Sequence, residues 1–194
     1  MENKYDIVLS DPPWSYYGQQ DKWAAAAKFY DLMDNDEIFK IPVKDYMKDR
    51  SILFLWATCP KLDVAMEAIE KWGLHYRGVA FVWCKTKLDG NLIGAQGVRP
   101  SIVKPLVELV LAASPVEKGR PLKLSDESIC QTVLAPKQEH SQKPDEILNR
   151  IERMYPDTNR LIMFSRRERP GWDSTGFGTD GRDIRDGLES SNGR

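Results

Sequence analysis

The chain has 194 residues, 41% apolar and 29% charged, with 28 Lys+Arg against 29 Asp+Glu and a formal net charge of -1. That length suits one domain with a sizeable core, and so even a charge balance excludes a histone-like or polybasic binder, so that any nucleic acid must be held by a local patch. No apolar run approaches the ~18 residues of a membrane span or a signal-peptide core, and Cys59, Cys84 and Cys130 are too few and too scattered for a disulfide framework or a zinc knuckle, which points to a reducing cytoplasm.

The first strand is expected at residues 5–9, and Asp11-Pro12-Pro13-Trp14 follows it directly. Residues 15–30 hold Tyr16, Tyr17, Trp23, Phe29 and Tyr30. They read either as a lid over a base or as a helix packing its aromatics into the core. Further strands are expected at 51–56, 79–84, 106–112 and 161–164, all short, rich in β-branched and aromatic residues and mostly continuous, as strands buried on both faces are. Between them, residues 60–72 align Leu62, Ala65, Met66, Ile69 and Trp72 on one helical stripe closed by Gly73. Residues 144–155 align Ile147, Leu148, Ile151 and Met154, with Pro144 in the first turn and Pro156 beyond the end. Residues 85–104 and 114–126 read as long loops. Strands alternating with helices predict an α/β layered fold in a single domain over residues 1–178, with residues 179–194 as a disordered polar tail.

The four-residue motif carries the chemistry. Ligands sit at the carboxyl ends of strands in open α/β sheets, and this tetrapeptide arises by chance in a chain of this length only roughly once in 1,000. Two prolines make a rigid turn whose carbonyl oxygens have no N–H groups beside them. An exocyclic amino group on adenine or cytosine is a poor nucleophile because its lone pair is delocalised into the ring. A carboxylate and a proline carbonyl, each accepting one N–H, would hold the nitrogen and free its lone pair for an electrophilic methyl group, while Trp14 offers a flat surface for the base.

The motif resembles the signature of the adenine-N6 methyltransferases related to the catalytic subunit of the eukaryotic mRNA adenine methyltransferase, a family with phage and bacterial members. Residues 4–14 and 52–56, Trp83-Cys84-Lys85, residues 141–146, residues 161–166 and Pro170-Gly171-Trp172 are similar to its blocks, in its order, over about residues 4 to 178. The resemblance implies a three-layer, Rossmann-like S-adenosylmethionine-dependent sheet with permuted motif order. Asp11, Pro12, Pro13 and Trp14 would hold the target amine and base. Lys143 would meet the cofactor carboxylate, helped by the helix start beside it. Ser141, Phe164, Arg166, Gly176 and Phe177, with Asp11, would complete the cofactor site. The family commonly has a Gly-Asn pair where Gly176 is here followed by Phe177 and Gly178, and an acidic residue upstream of the first strand, where this chain has only ten residues before Asp11.

Tyr16, Tyr17, Lys85, Lys87, Arg99, Lys104, Arg167 and Arg169 are the candidates for contact with nucleic acid; each cation taken alone reads first as a solvated surface residue. The expectation is methyl transfer from S-adenosylmethionine to adenine N6, leaving S-adenosylhomocysteine, with no metal because His75 and His140 are too few and too far apart for a site. DNA is the preferred polymer. RNA, or a non-catalytic scaffold subunit, are the alternatives. A homodimer or partner subunit, no membrane, and the cytoplasm of a bacterial cell or phage-infected host complete the reading.

Overall fold

The computed structural model describes residues 4–14, 33–94, 102–138, 142–165 and 167–176. Seven strands form one sheet in the order β5-β3-β4-β2-β1-β6-β7. They are β1 (Tyr5–Ser10), β2 (Met47–Thr58), β3 (His75–Thr86), β4 (Val107–Ser114), β5 (Thr132–Pro136), β6 (Arg160–Met163) and β7 (Asp173–Thr175). β1 pairs in parallel with β2 and β6, β6 with β7, and β3 with β5, whereas β4 runs antiparallel to both of its neighbours, β2 and β3. The sheet is therefore mixed, with one reversed strand inside it.

Continuous apolar strands need cover on both faces, and the structure supplies it. Val8, Leu53 and Leu55 join a cluster that includes Ile38 of α1 (Asn35–Phe39) and Val64, Ala65, Ala68 and Ile69 of α2 (Leu62–Lys71). Ile7, Leu9, Phe54 and Trp56 point the other way, into a cluster with Ile147, Leu148 and Ile151 of α3 (Asp145–Met154). The result is the three-layer α/β arrangement expected from the sequence.

Every strand expected from the sequence is present, mostly longer than its apolar run. The stripe expected on α2 is rotated at its start: a 3₁₀ turn, Cys59–Lys61, precedes the helix, Leu62 is half exposed, and Val64 and Ala68 are buried instead. Gly73 does stop the helix, at a φ of 67° where a side chain would be strained. Sequence reading missed β5, β7 and α1. The segment 15–32, with its lid-or-helix alternatives, and the tail 179–194 lie outside the described residues.

Tyr5 Oη donates to Asp173 Oδ2 at 2.8 Å, reaching across β6, and burial together with this acceptor pushes the phenol up to about 12. Phe54 stacks on Phe81 with ring centroids 6.1 Å apart. Both rings are fully buried in the layer under α3. Phe54→Ala should lower unfolding free energy by about 3–5 kcal/mol, read from urea denaturation; a loss below ~1 kcal/mol would show that the layer collapses freely around the gap.

Candidate active site

β1 ends at Ser10, so Asp11 stands at the carboxyl edge of the sheet beside the ends of β2 and β6. The Pro12-Pro13 turn is closed by two backbone bonds: Trp14 N–H donates to Pro12 O at 2.8 Å, and Met33 N–H to Pro13 O at 3.3 Å. Both proline carbonyls thus already accept one bond. A carbonyl oxygen has two lone pairs, so each retains capacity for a ligand.

Trp14 is placed differently from the expectation of an open stacking surface. It is 6% exposed, packs in the cluster with Met33 and Leu55, and donates its indole N–H to Trp56 O at 3.1 Å. The ring anchors the turn to β2. A large apolar ring gains more by burial among such neighbours than by standing open to water.

Lys143 precedes Pro144, the N-cap residue of α3, and its ammonium reaches back over the sheet edge. Nζ lies 3.1 Å from Asp11 Oδ1 and 3.1 Å from Glu108 Oε2, and 5.0 Å from the centre of the Trp56 ring. Lys85, near the end of β3, donates to Glu108 Oε1, and its Nζ lies 5.1 Å from the centre of the Trp83 ring. Trp56 and Trp83 meet edge to face, and Trp83 is itself fixed by its indole N–H to Ala135 O at 2.9 Å. The site is thus an alternating row, Asp11, Lys143, Glu108, Lys85, with two indoles beneath the ammonium groups.

Burial drives the Lys143 ammonium toward neutrality, but Asp11 and Glu108 outweigh it and raise its pKa above the ordinary lysine value. Burial likewise pushes the Glu108 carboxyl up, and the charges of Lys143 and Lys85 more than offset that and hold it low. Both stay charged near neutral pH. Glu108 side-chain exposure is only 12%.

Glu108 was missed by sequence reasoning. The available signal was one carboxylate inside the otherwise apolar run 106–112, a costly placement unless it is paired. Lys85 was expected to face phosphate; the structure directs it to Glu108 instead. The arginines after β6 are likewise engaged internally. Arg169 donates from Nε to Glu152 Oε1 at 2.8 Å and from Nη2 to Asn149 Oδ1 at 2.7 Å, and Arg167 pairs with Asp145 at the start of α3. Lys87 and Lys104 are exposed. Ser141, Arg166, Phe177, Tyr16, Tyr17 and Arg99 lie outside the described residues.

Phe164 is buried at the end of β6 with φ at 62°, in the left-handed region that costs a non-glycine residue strain. Gly176 explains how the chain fits there. A Cβ at this position would lie 2.6 Å from Phe164 Cα and 2.9 Å from Ser165 N. The two segments cross backbone to backbone, locked by Ser165 N–H to Thr175 O at 3.1 Å.

Among the described residues no group of three or more His, Cys, Asp or Glu could hold a metal ion, and no helix is long and apolar enough to cross a membrane. Comparison with known proteins matches the MT-A70 family model to residues 5–178. The Type II methyltransferase M.MunI of a Mycoplasma species is 28% identical over 193 residues, covering 90% of this chain and 77% of that protein. The human N(6)-adenosine-methyltransferase catalytic subunit METTL3 is 27% identical over 187 residues, covering 94% of this chain but only 30% of that protein. An MT-A70-like N(6)-adenosine-methyltransferase of Drosophila melanogaster gives 28% over 180 residues, with 27% of that protein covered.

Gly176→Ala should destabilise the protein by about 1–3 kcal/mol, because backbone on the facing segment cannot give way as a flexible side chain would. Thermal unfolding followed by circular dichroism checks this, and an unchanged midpoint would contradict the close crossing.

Proposed function

The chain belongs to the MT-A70 family, and from that premise we propose that it moves a methyl group from S-adenosylmethionine to the N6-amino group of adenine in DNA, with Asp11 accepting from the amine. The observation that carries the reading is the Asp11–Lys143 pair, 3.1 Å apart at the carboxyl edge of the sheet. A carboxylate for an amine and an ammonium for a carboxylate lie side by side there, where α/β sheets take their ligands.

The donor set fits the cofactor. S-adenosylmethionine supplies, when bound, a methyl group made electrophilic by its sulfonium. Lys143 would hold the cofactor carboxylate, as a buried and firmly charged ammonium can. Asp11 and the Pro12 carbonyl would accept the two N–H groups of the target amine, drawing its lone pair out of conjugation with the ring. Pro12 and Pro13 keep that pair of acceptors rigid, so little reorganisation is needed as charge develops on nitrogen. Trp14 acts one step back, fixing the turn through Trp56.

We read the balance of coverage as favouring DNA as the polymer: the match takes in most of the Type II methyltransferase M.MunI but under a third of the human and fly proteins. Leu88, Ile102 and Val103, exposed between β3 and β4, support the further part of the reading that a second subunit docks there. Lys87 and Lys104, exposed in the same stretch of chain, would meet phosphate.

Two measurements test the proposal. Incubation with labelled S-adenosylmethionine and double-stranded DNA, single-stranded DNA or RNA, followed by nucleoside analysis, should yield N6-methyladenine in DNA, reduced about 100-fold or more by Asp11→Ala. Product in RNA alone would overturn the polymer; no product and no cofactor binding would favour a scaffold subunit. Lys143→Met should weaken S-adenosylhomocysteine binding about tenfold or more in calorimetry, and undiminished affinity would remove Lys143 from the cofactor site.

A further inference from the structure

We propose that Glu108 is a positioning residue for methyl transfer, holding the Lys143 ammonium in place when Asp11 turns from Lys143 to the substrate amine. This rests on the reading of Asp11 as the amine acceptor. Three features of the row of charges carry it.

First, Lys143 has two anions at the same distance, 3.1 Å each, and they sit on different elements: Asp11 after β1 and Glu108 on β4. An acceptor tied to a lysine is a poorer acceptor for an amine, so Asp11 must loosen that pair for the proposed chemistry. Without Glu108, the cofactor carboxylate would then be the one other anion beside this buried ammonium, and loosening a protein ion pair at such a site is unfavourable. With Glu108 present, the ammonium keeps an ion pair to the protein throughout, and Asp11 can exchange partners while Lys143 stays in position.

Second, Glu108 is held so that it cannot follow Asp11. Its two oxygens go to different lysines, Oε1 to Lys85 and Oε2 to Lys143. Oε2 is buried and lies 3.1 Å from Lys143 Nζ, so the carboxylate bridges the two ammonium groups. Third, the Trp56 and Trp83 faces lie 5.0 and 5.1 Å from the two ammonium groups. Each indole attracts its cation and limits where it can go.

Glu108 stands in a strand whose other members from Val107 to Ala113 are apolar, and its two lysines, Lys85 and Lys143, account for a carboxylate there.

The test compares wild type, Glu108→Gln, Glu108→Asp and the double variant Glu108→Gln/Lys85→Met, whose row of charges is again neutral. Turnover on the unmethylated polymer that wild type accepts and S-adenosylhomocysteine affinity by calorimetry are both read. Glu108→Gln should lower kcat about tenfold or more, since Lys143 then has Asp11 as its sole anion within the protein, while S-adenosylhomocysteine affinity holds or tightens because Lys143 is less neutralised. Glu108→Asp should recover part of the lost kcat, and the double variant should stay slow, because overall neutrality is restored but the second partner of Lys143 is not.

Wild-type kcat in Glu108→Gln would overturn the inference. So would recovery in the double variant, or a parallel loss of turnover and cofactor affinity, either of which makes Glu108 a structural counter-charge. If Glu108→Gln alone fails to fold, by circular dichroism, the neutral double variant decides the matter on the same two readouts. An Asp11→Ala protein as active as wild type would sink the underlying reading, and this inference with it; an inactive Asp11→Ala beside a normal Glu108→Gln would sink the inference alone.

Discussion

Two carboxylates and two ammonium groups alternate along the carboxyl edge of the sheet, and none of them could be buried there by itself. Desolvating one such charge costs several kcal/mol, which mutual attraction offsets only when geometry and count both match. Here they match: Asp11, Lys143, Glu108 and Lys85 form a neutral row, each inner member touching two opposite charges. The elements that bear these residues are consequently bound to one another at this edge. β1, β3, β4 and the start of α3 each contribute one charge, so the site also clamps the two flanks of the sheet together.

The reversed strand is what makes the row possible. In a parallel sheet every strand begins at the edge opposite the site, and its first residues are remote from the chemistry. β4 runs the other way, so its second residue, Glu108, lies opposite Thr58 near the end of β2 and opposite Trp83 near the end of β3. One antiparallel strand thus delivers a carboxylate from its amino end to an edge otherwise built from carboxyl ends. The same registers put Trp56 and Trp83 under the two lysines, because alternate residues of β2 and β3 share the face covered by α3.

The parts of this arrangement that were legible in the sequence are those written in local pattern. Strands covered on both faces leave continuous apolar runs, and amphipathic helices leave a stripe, so β1 to β4, β6, α2 and α3 could be read directly. β5 and β7 could not. β5 alternates buried and exposed residues and ends in proline, and β7 is three residues long and polar. Their strand character comes from the neighbours they pair with and not from their own composition. The motif at Asp11 was legible because its rigidity and its acceptors are encoded in four adjacent residues. Pairing is not encoded that way: Lys85, Arg167 and Arg169 look like free cations in the sequence, and only the fold shows that Glu108, Asp145 and Glu152 stand opposite them.

That pairing changes how a chain of net charge -1 would meet a polyanion. With Lys85 and Lys143 held in the row, and Arg167 and Arg169 tied to α3, much of the positive charge near the sheet edge is neutralised from within. Lys87 and Lys104, on the two sides of the segment between β3 and β4, remain exposed. Phosphate contacts position a nucleic acid, whereas contacts to the base select the reacting atom. A site whose charges are neutralised internally and whose acceptors are fixed by Pro12 and Pro13 is arranged for the second task. The electrostatics at this edge therefore serve to keep Lys143 ionised and in register with Asp11, and the hold on a polymer would have to come from the surface around them.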